Sequence, residues 1–77
     1  MTTEERAKDI ILNHAINNQQ FSYHDIWRDN QQTFFESHVG FATFYSAFTD
    51  LYAIDKRFVW LTKQNDKNEE LYCMREG

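Results

Sequence analysis

The stretch FATFYSAFTDLYAIDKRFVWL, residues 41 to 61, holds two hydrophobic periods in succession. Phe41, Phe44, Tyr45, Phe48, Leu51 and Tyr52 recur at the i, i+3, i+4, i+7 spacing that lines one side of a helix. From Arg57 to Leu61 the pattern changes to the alternation of a strand. The spacing therefore predicts a buried helix running straight into a strand. Six large apolar groups over about three turns exceed what a surface helix needs, so this helix is expected to form the centre of the core.

Toward the N-terminus, Thr2 with Glu5 three residues on makes a capping box, and the acidic pair Glu4 and Glu5 suits the positive end of a helix. Ala7, Ile10, Ile11, His14 and Ala15 then form one apolar stripe. The run Asn17-Asn18-Gln19-Gln20 is expected to end this helix, with asparagine in a left-handed position. Phe21 stands alone between polar neighbours and reads as the inward residue of a very short strand. Ser22, with Asp25 three residues on, caps a second amphipathic helix spaced by Tyr23, Ile26, Trp27 and Phe34. Glu36 to Gly40 is the clearest break before the central helix.

Toward the C-terminus, Asp55 and Lys56 make a turn, Phe58 and Trp60 share one strand face, and Val59 and Leu61 share the other. The polar run KQNDKN, residues 63 to 68, separates this strand from a second alternating segment, Glu69 to Met74. The prediction is an α+β fold in one domain over residues 1–77: three helices and a C-terminal two-stranded hairpin, in the order of a winged helix-turn-helix. Phe44, Phe48 and Leu51 are expected to pack against Ile10, Ile11 and Ile26.

A 77-residue chain has little core to spare, yet 7 Phe, 4 Tyr and 2 Trp supply large pieces to bury. At roughly 150–250 Å² each, these offset small size without a disulfide or metal. The single cysteine, Cys73, has no internal partner, and the basic and then apolar run of a secretion signal is missing, which predicts a cytoplasmic protein. No apolar run nears the ~18 residues that a membrane span requires. The formal charge of −4 has the wrong sign for a domain devoted to phosphates.

Catalysis is not expected. His14, His24, His38 and Cys73 have no metal-ligand spacing, and His14 sits on an apolar stripe where a packed histidine is the usual outcome. Cys73, between Tyr72 and Met74 on a strand, reads as a small core residue. Gly40 and Gly77 make no phosphate loop, and no cofactor is expected.

The order of elements suggests DNA, but the residues do not. A winged helix reads the major groove with Arg, Lys, Asn or Gln on its third helix. The expected outward positions here are Ala42, Thr43, Ser46, Ala47, Thr49, Asp50 and Ala53, none of them basic. Lys63 and Lys67 on the wing are the best-placed candidates for nucleic-acid contact, although Asp66, Glu69 and Glu70 interleave with them. The small, nearly uncharged helix face favours close approach by a protein surface. Trp27, Trp60 and Tyr72 are the aromatics with most tendency to overflow so small a core and meet a partner, core packing being the commoner fate for each.

The stretch FTDLYAIDKRFVWL, residues 48 to 61, resembles the junction of third helix and wing in the HARE-HTH group, which includes the N-terminal domain of the delta subunit of bacterial RNA polymerase. Asp50, Leu51, Ile54, Asp55, Arg57 and Phe58 occupy the matching places, and Ile11 to Trp27 agrees in pattern. Lys56 stands where that group has glycine, the hairpin loop is longer, and delta's acidic tail has no counterpart. The resemblance therefore implies the docking half of that function: a non-catalytic protein-interaction module for a component of the transcription machinery, RNA polymerase itself being one candidate. The residues expected to meet the partner are Thr43, Ser46, Ala47 and Asp50 on the helix, with Lys56, Arg57 and Trp60 at the junction. Arg57 is the expected anchor because its fork holds carboxylates bidentately. The alternatives are a DNA-binding regulator and a small phage or mobile-element protein that occupies a site on a host protein.

Overall fold

A computed structural model describes residues 2–76. Four helices precede a hairpin: α1 (Thr3–Ile16), α2 (Tyr23–Asp29), α3 (Gln31–Glu36), α4 (Phe41–Ala53), β1 (Phe58–Gln64) and β2 (Glu70–Met74). The fold is α+β with a winged-helix-like layout. The expected second helix is two helices. Asn30 breaks it with φ −120° and ψ 20°. Its amide takes over the lost turn by donating to the Ile26 carbonyl at 2.8 Å and by meeting His14 Nδ1 at 3.1 Å.

The helix starts follow the caps. Thr2 Oγ1 accepts from the Glu5 N–H, and Ser22 Oγ accepts from the Asp25 N–H, each within a reciprocal capping box. At the end of α1, Asn17 keeps φ at −92° and is not left-handed. The Asn17 and Asn18 amides instead donate back to the Asn13 and His14 carbonyls at 2.9 and 2.8 Å, which satisfies orphan acceptors of the last turn.

The core runs through Ala7, Ile11, Ala15, Phe21, Ile26, Phe34, Val39, Phe44, Ala47, Phe48, Leu51 and Phe58. Phe44, Phe48 and Leu51 are buried with Ile11 and Ile26 as expected, and Ile10 packs at the margin. Two of the six aromatic and aliphatic groups assigned to the buried side of α4 are not inside, because Phe41 is 46% exposed and Tyr45 48%. The helix is rotated so that Ala47, not these rings, faces inward. Packing of α4 on α1 accounts for this, since buried alanines Ala7, Ala15 and Ala47 let two helix backbones come close while rings stay at the rim.

In the hairpin, β1 and β2 pair antiparallel with Phe58 opposite Met74 and Trp60 opposite Tyr72, and the register shifts between Trp60 and Gln64. Thr62 at φ 55° marks that irregularity. Phe21 bridges Tyr72 from the other side, so the very short strand expected there is a single paired residue. No described helix is long and apolar enough to cross a membrane.

Candidate functional site

With 3.6 residues per turn, the rotation of α4 divides its outer surface into two flanks. Phe41, Tyr45, Thr49 and Tyr52 lie on one flank; Thr43 and Asp50 lie on the other. Three expected partner residues are redistributed as a result. Ala47 is fully buried and belongs to the core, which overturns its outward placement. Asp50 is half-buried beside the start of α1, where its carboxylate raises the Glu4 carboxyl above its ordinary value. Thr43 is half-buried on the same flank, and Ser46 remains exposed between the flanks.

The junction residues do gather with the aromatic flank. Lys56, Trp60 and Arg75 line a depression of about 330 Å³ with Tyr52, Ala53, Phe58 and Val59. A second depression, about 290 Å³, shares Tyr52 and Ala53 with it and is otherwise lined by Tyr23, Tyr45, Phe48, Thr49 and Tyr72. All 4 tyrosines of the chain therefore stand around one groove between α4, α2 and the hairpin. Their rings touch in sequence: Tyr45 to Tyr23 at 5.4 Å, Tyr23 to Phe48 at 5.9 Å, Phe48 to Tyr72 at 5.2 Å and Tyr72 to Tyr52 at 5.3 Å between centroids. Three of these contacts are edge-to-face and the Tyr23–Phe48 pair is tilted, arrangements that fix ring orientation as well as burying area. Burial and the neighbouring phenol of Tyr52 push the Tyr72 hydroxyl above its ordinary pKa, so it stays a proton donor at neutral pH.

Trp60 overflows the core, 45% exposed, rather than taking the commoner fate of core packing. It is not loose, because its indole N–H donates to Glu70 Oε2 at 2.8 Å while Gln64 donates to the other oxygen at 3.0 Å. Those two hydrogen bonds, from Gln64 and then Trp60, hold the Glu70 carboxyl below its ordinary value. Trp27 and Tyr72 are partly buried against the core.

Arg57 lies next to the groove without lining it. Both acids within its reach by sequence are otherwise engaged. Asp55 pairs with Lys8 at 3.2 Å, and Glu70 takes the two hydrogen bonds just described. Among the described residues Lys56, Arg57, Lys63, Lys67 and Arg75 form no ion pair. Arg75 Nε donates to the Lys56 carbonyl at 2.8 Å, which places a second cation at the same end of the groove. Lys56 has φ 53°, a left-handed conformation in which glycine carries no steric cost.

Opposite this end, Glu69 ties the hairpin to α2. It accepts from Asn65 Nδ2 at 2.9 Å and Ser22 Oγ at 3.2 Å, with Arg28 Nη1 at 3.6 Å. These hydrogen bonds hold its carboxyl below the ordinary value. Neither Glu69 nor the groove residues Tyr23, Tyr45 and Tyr52 were singled out from sequence as site residues; Tyr72 was, as an aromatic that could overflow the core. The four tyrosines are spread over 50 positions, and the rotation of α4 together with the Phe21–Tyr72 bridge brings them together. A separate surface, about 370 Å³ in volume, is lined by Trp27, Gln31, Gln32, Phe35 and Val39. Among the described residues no three of His, Cys, Asp and Glu come together as metal ligands. Compared with family models, curated proteins and solved structures, the chain has no match.

Proposed function

We propose that this chain is a non-catalytic winged-helix module of the cytoplasm that binds another protein through the groove where α4 meets the hairpin. The partner is a component of the transcription machinery, as the resemblance to the delta subunit implies. One observation carries the reading: exposed aromatic rings fixed by packing and hydrogen bonds lie beside Lys56 and Arg75, cations with no ion pair among the described residues. Rigid amphipathic rings beside an Arg are the composition of interface anchors, since they lose little conformational freedom on binding.

Affinity capture from lysate with the tagged protein tests this, followed by capture with Tyr45→Ala, Trp60→Ala and Arg57→Glu, each first shown to melt like the parent. The reading expects transcription subunits to be enriched and the three variants to lose them. Equal capture by all three would overturn the docking surface.

A DNA-binding reading rests on Lys63 and Lys67, which are exposed on β1 and the hairpin loop without ion pairs among the described residues. Duplex binding that steepens as salt falls and is abolished by charge reversal at both lysines would favour it.

A further inference from the structure

We infer that the groove takes an extended proline-rich peptide with an acidic residue at the Lys56 end; the inference rests on the protein-docking reading above. The lining of the tyrosine depression contains no charged residue: Tyr23, Tyr45, Phe48, Thr49, Tyr52, Ala53 and Tyr72. Its floor is apolar at Phe48, and its walls end in phenolic oxygens. None of the four hydroxyls takes part in the hydrogen bonds among the described residues, and none is a fully enclosed atom without a partner, so all four remain free to bond a ligand, Tyr72 from a partly buried position.

A peptide in the polyproline conformation meets these walls closely. It has no internal hydrogen bonds, leaves its carbonyls bare and arrives already ordered. Aromatic grooves with a polar tip on each ring recognise it by ring-on-ring packing and by donating to those carbonyls. An amphipathic helix needs a wide apolar trough, which walls ending in hydroxyls do not provide. Single-stranded nucleic acid would stack on the same rings, but a chain of net charge −4 opposes its phosphates.

Charge complementarity sets the direction. Among the described residues the cations lining either depression are Lys56 and Arg75, both at the hairpin end, and no Asp or Glu lines either one. An acidic residue flanking the prolines therefore sits at that end, and a basic one is repelled.

The probe is a fluorescein-labelled octaproline ending in two aspartates, titrated by anisotropy, with an octaproline ending in two lysines as its pair. Saturable binding with a Kd below about 1 mM is expected for the acidic probe, and at least about tenfold weaker binding for the basic one. Tyr45→Ala is expected to weaken the acidic probe by about tenfold, and Phe35→Ala, on the separate surface, to leave it unchanged. Lys56→Glu, or Arg75→Glu if the first fails to fold, leaves one cation beside one new anion and should abolish the preference between the two probes. Absence of saturation, equal affinity for both probes, indifference to Tyr45→Ala, or tighter binding of an oligothymidylate would each overturn the inference. If the acidic probe fails while lysate capture is still lost in Tyr45→Ala and Trp60→Ala, the inference falls and the docking surface stands. If capture also survives those variants, both fall.

Discussion

Phe21 and Tyr72 exchange both of their backbone hydrogen bonds, N–H to carbonyl at 2.9 and 2.7 Å. That single pair fastens the hairpin to the segment between α1 and α2, and it places the Phe21 ring edge-on to Phe58 at 5.2 Å. It also turns Tyr72 toward Phe48 and Tyr52, so one wall of the groove is set by a contact on the opposite side of the strand.

Phe21 is 1% exposed, whereas Phe35 is 78% exposed. Truncating Phe21 to Ala should cost roughly 3–5 kcal/mol, and the same change at Phe35 less than about 0.5 kcal/mol. In a domain of this size each kcal/mol moves Tm by about 4–8 °C, so thermal melts distinguish the two easily. Equal melting of both variants would contradict the placement of Phe21.

Lys56 and Thr62 have φ of 53° and 55°, where a side chain strains the backbone. Lys56→Gly should stabilise the fold by up to about 1 kcal/mol, since relief of the left-handed conformation exceeds the added freedom of the unfolded chain. Lys56→Val should destabilise it. The same glycine variant removes a groove cation, so a more stable protein should bind its partner less well. Chemical denaturation measures the first effect and capture the second.

Glu69 and Glu4 predict opposite pH dependences. Hydrogen bonds from Asn65 and Ser22 depress the Glu69 carboxyl below its ordinary 4.5, so its contribution is present above that value and is lost as pH falls through the lower folded pKa. The Tm difference between the parent and Glu69→Gln should therefore shrink below about pH 4. Glu4 is raised by Asp50, so its charge is unfavourable at neutral pH. Glu4→Gln should raise Tm at pH 7 and leave it unchanged near pH 3. Melting curves across that range that run parallel for all three proteins would contradict both assignments.

The rotation of α4 was the least legible feature of the sequence, and it explains most of what the sequence reading missed. Periodicity located the helix and the strand after it, because Phe44, Phe48 and Leu51 repeat at helical spacing and residues 57–61 alternate. Hydrophobicity alone ranked Phe41 and Tyr45 above Ala47 for burial. The close approach of α1 selected the small residue instead, and that selection lives in the pairing of two helices. Asn30 was poor helix material by composition, yet its cap on Ile26 and its contact with His14 are tertiary facts. Of the groove cations Lys56 was legible from the residues, whereas Arg75 was not and the expected anchor Arg57 lies outside the lining; the tyrosine wall was not legible either, since its members come from α2, α4 and β2.

Nucleic acid provides a negative test. With no cation exposed on α4 and a net charge of −4, duplex DNA of random sequence should bind no tighter than about 10⁻⁴ to 10⁻⁶ M near 0.15 M salt. A nanomolar anisotropy titration with a steep salt slope would transfer the function to the wing lysines.

The most direct test is a ¹⁵N-correlated NMR titration of the protein with the acidic-flanked octaproline. Shifts are expected only at Tyr45, Thr49, Tyr52, Ala53, Lys56, Tyr72 and the Trp60 indole, with Gln31, Phe35 and Val39 silent. Shifts centred on Gln31 to Val39, or none at saturating peptide, would contradict the groove as the binding site.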